Sequence, residues 1–522
     1  MRKDTRGSPP FAKVLVANRG EIALRVIRAC RELGIATVAV YSDADATAGH
    51  VRAADEVVRI GPPPPTESYL RIDAIVDAAV RTGAEAVHPG YGFLAERAGF
   101  ARAVAAAGLR FVGPSAEAIE SLGDKLRARR LARGVGVPVV PGTLEPAPVS
   151  DRQELAGLEA TAAEIGFPLL VKAAAGGGGR GMRRVRALED LADALLAGSA
   201  EAASAFGDGA VYLEREITPA RHIEVQLLGD AHGTIVALGE RDCSLQRRHQ
   251  KLVEEAPAPG LTPAERTELH AMAVRLGQAA GLENAATCEF LRDPEGRVWF
   301  LEVNTRLQVE HGVTELVSGV DIVREQLRIA AGEPMAEATV AAASRAADPG
   351  SHAIEVRLSA EDPGNAFVPT PGTVGVWRMP AGPGVRVDTA IEAGDPVPPD
   401  YDNLIAKILV HASDRDAAID RLGRALGEVA VSGVQTTLPF HRFVAGSAAF
   451  RAGDLSTGWV DEHWSSATAT AARDAAADAA RLVAALAAEG VRTPAANPPR
   501  DGPGASPWRL AGRRAAIDRW PR

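Results

Sequence analysis

Residues 167–188 read FPLLVKAAAGGGGRGMRRVRAL, and the pattern after the glycines decides the fold. Gly176, Gly178 and Gly181 satisfy G-x-G-x-x-G, which marks a dinucleotide site only when a strand precedes it and a helix comes after it. A strand does precede it, in the apolar run 167–175. Residues 182–188, however, alternate like a second strand, and helical spacing resumes only near Glu189. The glycines therefore join two strands, as a lid whose bare amides can close over phosphates. No G-x-x-x-x-G-K-[ST] occurs, so a Walker-type loop is excluded. Lys172 stands inside the apolar strand, where an ammonium is costly unless it emerges beside an anion, and phosphate fits that need.

Upstream, residues 12–18 read as a buried strand, 21–33 as a helix stopped by Gly34, and 35–41 as a second strand. This βαβ unit opens a parallel sheet. Next come a helix over 70–82, a strand over 85–88 and the glycine-punctuated HPGYGFL (88–94), then FVGPS (111–115), a strand leading into a turn. Ligands of such sheets sit at the carboxyl ends of the strands. The organisation predicted is α/β and α+β multidomain: an N-terminal domain over 10–124, a central one over 125–335 and a β-rich one over 351–458 with a helix at 414–430. A linker over 336–350 separates the last two. Residues 459–522 form a helical extension (467–490) and a Pro-, Gly- and Arg-rich tail expected to be poorly ordered.

Composition narrows the function. With 522 residues, several domains of ordinary size are expected. Basic residues number 58 and acidic ones 67, a net charge of −9, and aromatics are 4%. Neither nucleic acid nor an anionic membrane is a natural partner. No apolar stretch is long enough to span a bilayer, and no signal peptide is present. Three scattered cysteines (Cys30, Cys243, Cys288) suit a reducing, cytoplasmic compartment. Only six of the 58 basic residues are lysines, so each is a candidate for a compact point charge. Context favours Lys125, Lys172 and Lys251, whereas Lys3, Lys13 and Lys407 read as chance placements.

Two carboxylates carry the strongest chemistry. Strands 286–291 and 298–304 flank a turn at Asp293–Gly296, and a hairpin centred there sets Glu289 opposite Phe300 and diagonal to Glu302. Paired acids on one face call for a cation, and Mg²⁺ takes one or two carboxylates with waters and substrate phosphates. Period-two alternation continued through EVNTRLQVE puts Glu302, Asn304, Arg306, Gln308 and Glu310 on one face. HIEVQLL (222–228) alternates likewise. ERDCSLQRRHQK (240–251) gathers five cationic or imidazole side chains without aromatics and reads as an anion-binding loop rather than a nucleic-acid patch.

VANRGEIA (16–23), HPGYGFL (88–94), GDK (123–125), KAAAGGGGRGM (172–182), ERDCSLQRRHQK (240–251), EEAPAPG (254–260) and EVNTRLQVEH (302–311) together resemble biotin carboxylase, the ATP-grasp component of biotin-dependent acyl-CoA carboxylases. The resemblance spans roughly residues 11–450. It implies a Rossmann-like N-terminal domain, an ATP-grasp central domain and a β-rich C-terminal domain. It further implies a ligase that carboxylates biotin with ATP and bicarbonate through carboxyphosphate, the first half-reaction in fatty-acid-type acyl-CoA carboxylation.

Carried over residue by residue, Lys125, Lys172, Gly178 and Gly179 would hold ATP phosphates. Glu214, Arg215, Glu216 and Ile217 would form the adenine hinge, with His222, Gln246, His249 and Leu291 around the nucleotide. Glu289, Glu302 and Asn304 would bind two Mg²⁺ or Mn²⁺ ions. Lys251, Arg306, Gln308 and Val309 would hold bicarbonate, Glu310 would be its general base, and Arg357 would meet the biotin ureido oxygen. Departures from the family pattern are Ala95, Arg97, Arg215, Gly312 (usually Pro) and Val356, none of which removes a catalytic group. No lysine is flanked by methionine, so biotin is expected as a substrate on a separate carrier protein or domain. Partners implied are that carrier, a carboxyltransferase subunit and a second copy in a homodimer.

Overall fold

A computed structural model describes residues 9–146, 149, 152–174 and 182–472. The N-terminal strands pair in parallel in the order Glu56–Gly61, Ala36–Ser42, Lys13–Val16, Ala86–His88, Arg110–Phe111. Helix Gly20–Leu33 buries Ile22, Val26, Ile27 and Cys30 against this sheet and ends at Gly34, whose φ of 77° places it in the left-handed region. In HPGYGFL the chain turns through Gly90 (φ 62°), and the Asn18 amide donates to the carbonyls of Pro89 and Tyr91 at 2.7 Å each. A Cβ on Gly90 would stand 2.9 Å from that amide nitrogen, so the turn needs glycine.

Strands Leu169–Ala173 and Arg183–Val185 pair antiparallel, as expected of a glycine loop that joins two strands. Val211–Arg215 completes that three-stranded sheet. Short helix Leu188–Asp190 leads into Leu191–Phe206, matching the expected helix start. Gly178 and Gly179 lie outside the described residues, as do Lys3 and most of the Ala-rich stretch 467–490, whose chain is helical as far as residue 472.

The largest element is one eight-stranded antiparallel sheet, in the order Val298–Asn304, Asn284–Arg292, Arg221–Gly229, Ile235–Arg247, Gln250–Ala256, His352–Ser359, Leu404–Ala412, Val385–Asp388. It continues across the expected linker, where the chain forms a short helix, Glu337–Ala343, with Thr339 and Ala342 buried. One face packs on helix Pro263–Ala279 through Leu227, Cys288, Phe290 and Phe300. Farther along, Ile354, Val356, Ile408 and Val410 pack with Ile419 and Leu422 of helix Arg415–Glu428. Among the described residues, no helix is long and apolar enough to cross a membrane.

Three local expectations fail for identifiable reasons. The hairpin turn holds five residues, 293–297, with Arg292 opposite Val298, and Leu301 is an extra residue in its strand. Glu289 therefore faces Glu302 directly rather than diagonally, and Phe290 faces Phe300. The strand also stops at Asn304; residues 305–310 are a loop, and Glu310 begins helix His311–Ser318 instead of continuing an alternating face. ERDCSLQRRHQK is no loop either. Its residues complete one strand and start the next across a two-residue turn at Arg248 (φ 48°) and His249 (φ 65°), with Arg247 opposite Gln250.

Candidate functional site

The large sheet carries a row of charge across four adjacent strands. Glu302 faces Glu289, Glu289 faces Glu224, and Glu224 faces Arg241. Directly opposed side chains lie about 5 Å apart, so three neighbouring carboxylates repel unless cations are interleaved. The interleaving is visible. Lys125 Nζ is 3.1 Å from Glu302. Lys251 Nζ contacts Glu224 at 2.5 Å, Glu289 at 2.8 Å and Glu310 at 2.6 Å. Arg241, fully buried, bonds Glu224, Gln226, Thr287 and Thr314.

Glu310 is also fully buried, and its second oxygen accepts from Arg357 Nη2 at 2.9 Å. Burial alone would raise its pKa, but Lys251, Arg357 and Arg241 outweigh it and hold the carboxyl well below the ordinary range. Lys251 behaves conversely: burial opposes its charge, and Glu224, Glu289 and Glu310 push its pKa well up. Arg357 is fixed from behind by Glu254, which accepts from its Nε at 2.6 Å. Burial lifts the Glu254 carboxyl to about 7 despite that guanidinium. Arg306 reaches Glu96 at 3.1 Å and donates to Gln308 at 2.9 Å, while Gln308 donates to Glu289 at 3.2 Å. The Asn304 amide donates to Glu289 at 2.8 Å, and the Val309 carbonyl points away from this cluster to Lys407.

At the other end, Lys172 and Arg129 both pair with the buried carboxylate of Glu214. Arg215 is exposed at the end of its strand, and Glu216, which pairs with Arg184, and Ile217 lie in the loop beyond it. His222 contacts Glu289 at 3.0 Å and stands opposite Leu291. Burial opposes its charge, yet Glu289 raises its pKa. Gln246 faces Lys251 across the hairpin. His249, at the turn, is held below the usual imidazole value by partial burial and by the charges of Lys172, His222 and Lys125. The site residues predicted from sequence thus fall into two groups, one around Glu214 on the three-stranded sheet and one across the strands of the eight-stranded sheet, apart from the two glycines outside the described chain.

Glu289, Glu302 and Asn304 offer hard oxygen donors from two directly paired strands, a set that suits Mg²⁺ or Mn²⁺. His222, Glu224 and Glu289 also bring donor atoms within 4.8 Å of one another, but Lys251 already serves two of those carboxylates.

Four residues of this cluster escape a reading of the sequence. Arg241 and Glu224 belong to alternating or cationic runs, and their cross-strand pairing depends on register. Glu254 stands in EEAPAPG, where nothing local reveals that it backs a guanidinium. Lys407, which reads from sequence as a chance placement, is completely buried. An ammonium at the centre of the apolar run LIAKILV is the signal that could have found it.

The chain matches three family models: "Biotin carboxylase, N-terminal domain" over residues 10–119, "Carbamoyl-phosphate synthase L chain, ATP binding domain" over 124–338, and "Biotin carboxylase C-terminal domain" over 355–462. It is 48% identical to a biotin carboxylase of Pseudomonas aeruginosa over 86% of this chain and 98% of that protein. It is 47% identical to the biotin-dependent acyl-coenzyme A carboxylase alpha3 subunit of Mycobacterium leprae, over 88% and 76%. Among solved structures, the biotin carboxylase domain dimer of Hydrogenobacter thermophilus 2-oxoglutarate carboxylase, in complex with MgADP, ADP and bicarbonate, superposes with a TM-score of 0.82 at 46% identity. It covers 87% of this chain and 98% of that one.

Proposed function

This chain belongs to the biotin carboxylase family, and from that premise we propose a role for each group in the charged row. The enzyme is a ligase of the ATP-grasp type, which uses ATP and bicarbonate to carboxylate biotin. Lys125 and Lys172 take the ATP phosphates, exchanging Glu302 and Glu214 for phosphate oxygens, and Gly178 and Gly179 cover them. Glu214, Arg215, Glu216 and Ile217 hold the adenine, with His222, Gln246, His249 and Leu291 nearby. Glu289, Glu302 and Asn304 hold Mg²⁺ or Mn²⁺, whose charge would neutralise the phosphates. Phosphoryl transfer asks the protein mainly for positioning and electrostatics, which such a row provides.

Lys251, Arg306, Gln308 and Val309 bind bicarbonate. Glu310, ionised at neutral pH, accepts the bicarbonate proton as the freed oxygen attacks the γ-phosphorus and ADP leaves. The carboxyphosphate formed splits into CO₂ and phosphate, and the phosphate takes the N1 proton of biotin. Arg357, held by Glu254, stabilises the negative ureido oxygen while N1 attacks CO₂.

The observation that carries this reading is the single carboxylate of Glu310 bound between Lys251 and Arg357, which joins the bicarbonate and biotin ends of the site. ADP release from Mg-ATP and bicarbonate, with and without free biotin, tests it. Biotin should stimulate turnover, and Glu310→Gln should lower it about 10²–10⁴-fold, the usual cost of losing a general base. Turnover that ignores biotin, or survives the substitution, would overturn the assignment.

The domains we assign are 10–124, 125–335 and 351–458, with 459–522 as an extension. We further propose that the biotin is presented on a carrier protein or domain, that a carboxyltransferase takes the second half-reaction, and that the chain works as a homodimer in the cytoplasm. The likeness to the M. leprae alpha3 subunit and to a solved dimer supports this, as do three buried free thiols.

A further inference from the structure

Lys407 lies at the centre of strand Leu404–Ala412 with no exposed surface. Burying an ammonium costs several kcal/mol, and Leu409, the next residue on the same face of the strand, packs in an apolar cluster with Ala256, Val313 and Ala353. The shortest contact of its Nζ is not to a carboxylate. It donates to the Val309 carbonyl at 2.7 Å, whereas Glu21 stands at 3.4 Å and Asp388 at 3.7 Å. Both acids are otherwise occupied: Glu21 accepts from the Tyr91 hydroxyl, and Asp388 takes both arms of Arg386.

In the sheet Lys407 stands directly opposite Arg357, so both side chains leave the same face. They grip consecutive residues, Arg357 the carboxylate of Glu310 and Lys407 the carbonyl before it. A peptide group is planar, so fixing the Val309 oxygen also fixes the direction of the Glu310 N–H. Glu310 needs that support. It begins helix His311–Ser318 with φ −80° and ψ 10°, yet its side chain makes no capping bond because Lys251 and Arg357 hold it.

We propose that Lys407 is a positioning residue of the bicarbonate subsite, clamped by Glu21 and Asp388 and setting the Val309–Glu310 peptide. The proposal rests on the reading of Gln308, Val309 and Glu310 as the bicarbonate loop. Lys407→Met keeps length and volume but removes the donor. In steady-state ADP release it should raise the KM for bicarbonate at least about 10-fold while the KM for ATP stays within about two-fold, since an ångström of misplacement is that costly.

Gln308→Ala is the control. If it leaves the bicarbonate KM unchanged, the loop assignment itself fails. If it raises that KM while Lys407→Met, with native near-UV circular dichroism, does not, the role of Lys407 fails. An equal change in both KM values, or a loss confined to kcat, also overturns it by marking a general structural effect. Should the single variant not fold, Glu21→Gln/Lys407→Met removes the opposed charges together and is read by the same KM split, with an unchanged bicarbonate KM overturning the proposal.

Discussion

At the scale of single residues, the buried charges of the row are matched by partners on neighbouring strands. Arg241 is the clearest case, with four side chains around one guanidinium and no exposure. Arg241→Met should cost about 3–5 kcal/mol in urea unfolding, because Glu224 loses a counter-charge while remaining buried. A loss under about 1 kcal/mol would mean that Lys251 alone neutralises Glu224. Glu289 and Glu302 are legible in the sequence as a carboxylate pair, because both stand in a short hairpin of otherwise apolar strands, whereas roles for Lys251 and Glu310 come from the family resemblance. The roles of Arg241, Glu254 and Lys407 are not legible. Each is defined by a partner on another strand or loop, 98 positions away for Lys407 and Val309 and 103 for Glu254 and Arg357.

At the scale of elements, the sequence pattern places the parallel sheet, the antiparallel strands on either side of the glycine run and the helix after Asp414 to within a few residues. It misplaces what a single extra residue controls. Leu301 shifts the pairing of its hairpin, and no period-two argument can see a bulge in advance. The 247–250 turn is a second example. Arg248 and His249 both adopt positive φ, where glycine or asparagine is the usual choice. Holding bulky residues there costs on the order of 1 kcal/mol each, consistent with side chains kept for function. Arg248→Gly should therefore raise stability by up to about 1 kcal/mol in thermal unfolding, after the added entropy of the unfolded chain is counted. Destabilisation instead would show that the Arg248 side chain contributes more than its backbone costs.

At the scale of the whole molecule, buried carboxylates dominate the response to acid. Burial would raise Glu255, but His352 and Arg415 outweigh it; the same balance lowers Glu240 through His270 and Arg266, and Asp45 through Arg19. For such groups the folded pKa lies below the unfolded one. Their stabilisation is present above the unfolded values, 4.5 for Glu and 3.8 for Asp, and is lost as pH falls through the folded values. Glu254 and Glu355 oppose this, since burial raises both and their contribution fades as pH climbs toward neutrality. Scanning calorimetry should show Tm falling steeply below about pH 4.5, and Glu255→Gln should flatten that fall. An unchanged slope would remove Glu255 from the account.

The row Glu302, Glu289, Glu224, Arg241 has a consequence for how the chain finds its structure. A strand displaced by one position would turn its charges into the apolar layer beneath and bring leucine, phenylalanine or valine up among the cations. Every misaligned sheet would thus carry stranded ions on both sides, a penalty far larger than any lost side-chain contact. A row of charge that reads as a site in the finished sheet would also act, before any substrate arrives, as the registration marks by which the strands are aligned.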